Sequence, residues 1–219
     1  AAWMAFQSAN QPLDRFVKVE ALRFLNLGKQ GHFYHNKKQS DPKTDQPLKL
    51  LILGDILLSS TASMLEVLES SSEYFQEGWE LTLKPHPATP IDISNYPRLQ
   101  LTLSVKPLAD LLPSFHFVIA SFSTGILEAH ALGLPVITML NDHDFNFSPL
   151  RGMTGTLFVS SVDELKQAMD QIRSHQPIQN IDDIFWTDPE IPRWKALLEL
   201  VERPANKMSS QVYVEEPLL

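Results

Sequence analysis

The sequence predicts an α/β domain, a Rossmann-like doubly wound parallel sheet, and three observations carry that prediction. Apolar runs of strand length alternate with helical stretches from residue 48 onward. The central runs are apolar almost without interruption, as strands covered on both faces must be. Small hydroxyl residues gather where strands stop and helices begin, and in an open α/β sheet that edge is where ligands bind.

The elements follow in order. Leu48-Lys-Leu-Leu-Ile-Leu-Gly-Asp55 reads as a strand ending in glycine, and Ser60 to Ser70 as a helix with hydroxyls at its start and apolar residues at helical spacing. Trp79 to Lys84 is the second strand, stopped by Pro85-His86-Pro87; Leu99 to Leu103 is the third, and Pro107 to Leu112 a short helix. Phe117 to Ala120 is the fourth strand, Gly125 to Leu132 a helix, and Val136 to Leu140 the fifth strand. Thr156 to Val159 makes a sixth, before a helix over Ser161 to Ser174 that opens with the capping-box pattern Ser161-Val-Asp-Glu164. A last helix spans Pro192 to Val201.

Outside this unit, Ala2 to Ala9 reads as a short helix and Phe16-Val-Lys-Val-Glu20 as an alternating strand or edge. Gly28 to Pro47 is polar, aperiodic and rich in turn formers, hence a linker. The expected organisation is a tail of a preceding domain plus linker over 1–46, the Rossmann-like unit with its closing helix over 47–201, and a mobile tail over 202–219.

Composition narrows the chemistry. The 219 residues are 43% hydrophobic, enough for a sizeable core, and no apolar run approaches the ~20 residues that span a bilayer. Cysteine is absent, which removes disulfides, thiolate metal sites and a Cys nucleophile, and suits a cytoplasmic location. A formal charge of −8 argues against nucleic-acid binding, so an anionic ligand must be met by a local arrangement.

Two clusters meet that need. In Lys84-Pro85-His86-Pro87 stiff backbone fixes an imidazole at the ligand edge; it is either a turn histidine or a donor to phosphate oxygen. Ser121-Phe-Ser123-Thr124-Gly125 sets three hydroxyls before a helix, where capping needs one and a phosphate can use several. Glu128, one turn further on, is either a solvated helix residue or an acceptor for ribose hydroxyls. Gly54 and Asp55, followed by Ser59-Ser60-Thr61, are a further candidate wall of the cleft. Neither a dinucleotide fingerprint nor a P-loop is present. Asp142-His143-Asp144 is a contiguous triplet that points in several directions and makes a poor metal site, and His32 and His35 read as solvated. The aromatic stretch Phe185, Trp186, Arg193, Trp194 reads as packing, of the terminal helix over the sheet or against a missing partner domain.

Lys84-Pro-His-Pro87, Ser121-Phe-Ser-Thr-Gly125 with Glu128, and the ending Ala131-Leu-Gly-Leu-Pro-Val-Ile137 together resemble the C-terminal, donor-binding half of GT-B glycosyltransferases. The His-Pro pair and the Ser/Thr-rich turn are most similar to bacterial sialyltransferases, polysialyltransferases and CDP-glycerol polymerases, and Phe185 to Trp194 is similar to the end of surface-carbohydrate biosynthesis proteins. The resemblance implies a nucleotide-sugar donor, CMP- or CDP-linked, held by this unit without an obligatory metal or other cofactor. It also implies a glycan acceptor held by an N-terminal domain that residues 1–46 are too few to form, and peripheral membrane association of the full-length protein. By the same resemblance His86 is the catalytic contact to the donor phosphate, Ser123 and Thr124 hold that phosphate and Glu128 binds the ribose, with Lys84, Pro87, Gly54, Asp55, Ser121 and Gly125 around them. A UDP-sugar epimerase of the same architecture and a non-catalytic nucleotide-binding or scaffold module are the alternatives.

Overall fold

The computed structural model describes residues 7, 9–27, 47–141, 145–153, 155–174 and 185–202. The predicted helix at Ala2 to Ala9, the linker, the histidines at 32 and 35, the triplet 142–144 and the tail beyond 202 lie almost wholly outside these residues.

Six strands form one all-parallel sheet: β1 (Leu48–Leu53), β2 (Trp79–Lys84), β3 (Thr102–Leu103), β4 (Phe117–Ala120), β5 (Val136–Met139) and β6 (Leu157–Val159). Their order is β3-β2-β1-β4-β5-β6, so the direction of winding reverses between β1 and β4. Every residue of β4 and β5 is buried, the reason their sequences show no polar alternation.

The helices are α1 (Leu58–Ser70), α2 (Leu108–Leu111), α3 (Gly125–Ala131), α4 (Val162–Ser174) and α5 (Pro192–Glu202). Two cores lie on opposite faces of the sheet. One joins Leu50, Ile52 and Ile119 to Met64, Leu65 and Leu68 of α1 and to Leu165 and Met169 of α4. The other joins Leu51, Leu53 and Val118 to Leu111 of α2 and to Ile126 and Ala129 of α3. α3 stops where Gly133 takes φ +80°, a left-handed conformation that lets the Leu134 N–H reach back to the Ala129 carbonyl at 3.0 Å. The predicted capping box forms in shifted register. Glu164 N–H donates to Ser161 Oγ at 3.3 Å, while the Glu164 carboxylate accepts from Ser160 N–H at 2.7 Å.

The N-terminal segment departs from its predicted form. Phe16–Glu20 pairs with no strand among the described residues; it is extended chain between two 3₁₀ turns, Leu13–Arg15 and Leu22–Phe24. Its burial follows a different packing task and not the alternation, since Val17 is exposed and Glu20 is buried. Glu20, only 2% exposed, accepts the backbone N–H groups of Arg193 (3.1 Å) and Trp194 (3.2 Å) at the start of α5, with the Arg193 guanidinium at 3.3 Å. Ala21 N–H donates to the Trp186 carbonyl, Phe24 stacks on Phe185 at 4.2 Å, and Leu27 enters the second core. The Arg193 guanidinium lies 3.5 Å over the Trp186 ring. The aromatic stretch at 185–194 therefore packs on residues 18–24.

Candidate functional site

In a doubly wound sheet the crevice opens where the order reverses, at the carboxyl ends of the two central strands. Here those ends are Leu53 and Ala120, paired across the β1–β4 ladder, so Gly54 and Ser121 leave the sheet side by side. Two loops, the residues after β2 and the turn after β4, face one another across them.

Gly54 is fixed by backbone, not by a ligand. Its N–H donates to the Lys84 carbonyl at 2.9 Å, and a Cβ there would stand 3.0 Å from both His86 N and Pro85 Cα. The glycine lets Lys84-Pro-His-Pro87 cross the end of β1 at close range, which the prolines then hold stiffly. His86 is half-buried and accepts the Ala88 N–H at Nδ1, 3.2 Å away. That bond places the proton of the neutral ring on Nε2, leaving it as the available donor. Thr89 closes the loop: its N–H donates to the His86 carbonyl and its hydroxyl to the Ile56 carbonyl, both at 2.9 Å, so the β1 and β2 loops move as one. Lys84 is half-buried and Pro87 exposed at the same edge.

Asp55 is turned inward. It is 4% exposed; Oδ2 accepts the Phe122 N–H at 2.8 Å, Oδ1 accepts the Leu57 N–H at 3.4 Å, and its own N–H donates to Thr61 Oγ1 at 2.8 Å. The residue predicted to wall the cleft instead sews the β1 loop to the β4 turn. It thereby fixes the position of Ser121 and Phe122.

The three hydroxyls of the β4 turn part company. Ser121 is buried, Ser123 half-buried and Thr124 exposed. Thr124 occupies the N-cap position of α3 with no side-chain capping bond, so capping does not consume its hydroxyl. Gly125 is buried, with a Cβ there 2.7 Å from Leu108 Cδ2 and 3.2 Å from Leu53 Cδ1. Close packing of α3 on α2 and β1 needs that glycine, rather than approach of a ligand. Glu128 is not solvated either: Arg23 Nη2 reaches one carboxylate oxygen at 3.1 Å, and the Glu128 side chain is 14% exposed.

His86 and the Ser123–Thr124 pair follow the ends of β2 and β4, strands two ladder steps or about 10 Å apart on either side of β1. Both stand at the open edge of the sheet. One group escaped the sequence reading: Phe122 meets Phe147 edge to face at 5.8 Å, and Phe147 meets Phe145 at 6.1 Å, with Phe145 81% and Phe147 68% exposed. The pattern Phe145-Asn-Phe147 in the loop after β5 was the available signal. On the other side of Ser121 a cleft of about 130 Å³ opens between α1 and the ends of β4, β5 and β6. Among the described residues no three His, Asp or Glu side chains are grouped to hold a metal, and no helix is long and apolar enough to cross a membrane.

No family model matches the sequence, and no curated protein matches it. Solved structures do. The UDP-GlcNAc 2-epimerase from Neisseria meningitidis bound to UDP-GlcNAc superposes with a TM-score of 0.58 at 15% identity, over 89% of this chain and 57% of its own. The spinosyn rhamnosyltransferase SpnG complexed with thymidine diphosphate gives 0.49 at 18% identity, over 73% and 46%. The glycosyltransferase SnogD from Streptomyces nogalater gives 0.43 at 15%, over 73% and 44%. The chain spans about half the length of these proteins, and at such identity the likeness defines the fold: a Rossmann-like doubly wound domain of the kind that makes one half of the GT-B architecture.

Proposed function

We propose that this domain binds a nucleotide sugar and serves as the donor half of a glycosyltransferase. The observation that carries the reading is what lies at the reversal point: a half-buried imidazole whose Nδ1 is engaged, leaving Nε2–H as its donor, and, after β4, Ser123 beside Thr124, whose hydroxyl makes no capping bond. α3 has only seven residues, so the imidazole and hydroxyls, rather than the helix, are the groups that would grip phosphate. Ser123 and Thr124 would donate to its oxygens. As the bond from the sugar to phosphate breaks, charge grows on the departing oxygen, and a hydrogen bond from His86 strengthens with it.

The finer reading is a CMP- or CDP-linked donor used in surface-polysaccharide synthesis, supported by the resemblance of Lys84-Pro-His-Pro87 and Ser121-Phe-Ser-Thr-Gly125. Glu128 would bind ribose once Arg23 yields it. The acceptor and the base that activates it would come from another domain.

Calorimetry with CMP, CDP, UDP and GDP tests the reading, and no binding to any of them at millimolar concentration sinks it. In the active full-length enzyme His86→Ala is expected to lower kcat by roughly 100-fold or more while sparing the melting temperature. A second reading, a UDP-sugar epimerase, is favoured by the superposition over 89% of the chain. It requires UDP selectivity, and release of free sugar or an epimer with no acceptor present.

A further inference from the structure

The cleft between α1 and the ends of β4, β5 and β6 is lined by four serines, Ser60, Ser63, Ser121 and Ser160, and by Asn141. Met64 and Met139 are among its apolar lining, and none of the lining residues carries a charge. Ser60 is 4% exposed, and its hydroxyl oxygen is sealed from solvent with no hydrogen-bond partner. A buried hydroxyl without a partner costs stability unless something supplies one. Ser60 lines the cleft, and a change of its χ1 rotamer would bring the hydroxyl to a ligand there. The volume, about 130 Å³, is close to the roughly 150 Å³ of an engineered cavity that holds one benzene ring, so it suits a single six-membered ring.

Ser121 belongs both to this cleft and to the turn that carries Ser123 and Thr124. A ligand whose phosphate rests on that turn therefore has its sugar within reach of the cleft. We propose that the cleft receives the donor sugar and selects a neutral one, a pyranose with hydroxyl or amide substituents and no carboxylate. The inference rests on the nucleotide-sugar reading above. Serine hydroxyls both donate and accept, as sugar hydroxyls do, and the methionines suit the C–H faces of the ring. A carboxylate seated there would meet no cation among the lining residues to offset the water it gives up. Sialic acids and uronic acids are thereby disfavoured.

The test is calorimetry on the full chain with UDP, UDP-glucose, CDP-glucose, UDP-glucuronate and CMP-N-acetylneuraminate. The neutral sugar nucleotides are expected to bind about tenfold more tightly than the bare nucleotide, the worth of one or two net hydrogen bonds, and the acidic ones no more tightly. Ser63→Leu, which fills the cleft, is expected to abolish the gain and leave UDP binding unchanged. Ser60→Ala, too small a change to threaten folding, is expected to remove part of it. Nucleotide binding with no gain from a neutral sugar, a gain that survives Ser63→Leu, or preference for UDP-glucuronate or CMP-N-acetylneuraminate overturns this inference alone. Failure of every nucleotide to bind overturns it together with the reading beneath it.

Discussion

Two buried carboxylates hold this molecule together, and they differ in what they hold. Asp55 joins backbone 67 residues away, inside the parallel sheet and at the lip of the crevice. Glu20 joins backbone 173 residues away, on the outside of the sheet, where it seats the start of α5. Both satisfy peptide N–H groups that would otherwise be orphaned. Only Glu20 has a guanidinium beside it. Asp55 is therefore held by neutral donors alone, whereas the outer clasp is an ion pair reinforced by hydrogen bonds. The lesson is that in this fold a strand-end aspartate serves the site by placing loops, and a remote glutamate serves the fold by closing it.

Removing each carboxylate should separate these roles. Asp55→Ala leaves the Phe122 and Leu57 N–H groups unpaired and frees the β4 turn. It is expected to cost about 2–3 kcal/mol in denaturant melts and to weaken nucleotide binding at least tenfold. Glu20→Ala uncaps α5 and is expected to cost about 2 kcal/mol. Hydrogen exchange should quicken at Arg193 and Trp194 while nucleotide affinity stays unchanged. Equal damage to binding by both variants would erase the distinction between site and clasp.

Acid sharpens the same comparison. Burial pushes the Glu20 carboxyl up, but hydrogen bonds from Arg193 and Trp194 and from its own backbone outweigh it and hold the group below the ordinary carboxylate range. A depressed folded value stabilises above the unfolded one, about 4.3, and that contribution is lost as pH falls through the folded value. The difference in melting temperature between wild type and Glu20→Gln should therefore be full at pH 7 and shrink steadily below pH 4.

The smallest expected effect is at the contact between the two regions, where Arg23 of the N-terminal segment holds Glu128 beside the crevice. Arg23 is 61% exposed, so Arg23→Ala should change stability by no more than about 0.5 kcal/mol. If Glu128 serves ribose, freeing it should tighten nucleotide binding about twofold in the same calorimetric series; weaker binding would mean that Arg23 itself meets the ligand.

Much of this was legible in the chain. The apolar runs at 48–53, 117–120 and 136–139 and the helical spacing of Met64, Leu65 and Leu68 record burial on both faces of a sheet. The glycine after α3 marked its end. The site was legible as a place and less so as a set of roles. Gly54 read as part of the cleft wall and Gly125 as one of the residues around the donor, and in the structure a Cβ at either would meet a neighbouring element, because a missing Cβ reads the same for a ligand as for close packing. Phe16–Glu20 misled because its alternation does not record burial: Val17 is 62% exposed, while Glu20 is buried to seat the start of α5.

Sequence alone determined the succession of strands and helices and the edge at which the hydroxyls and His86 collect, since both follow from local periodicity and from turn chemistry. Only the tertiary structure decided which polar groups are left for a ligand. Asp55 and Glu20 are spent on distant backbone, Glu128 is held by Arg23, and Ser60 and Thr124 keep their hydroxyls unbonded. A hydrogen bond is satisfied by whatever donor the fold delivers within 3 Å or so, and no local pattern records which distant segment that will be.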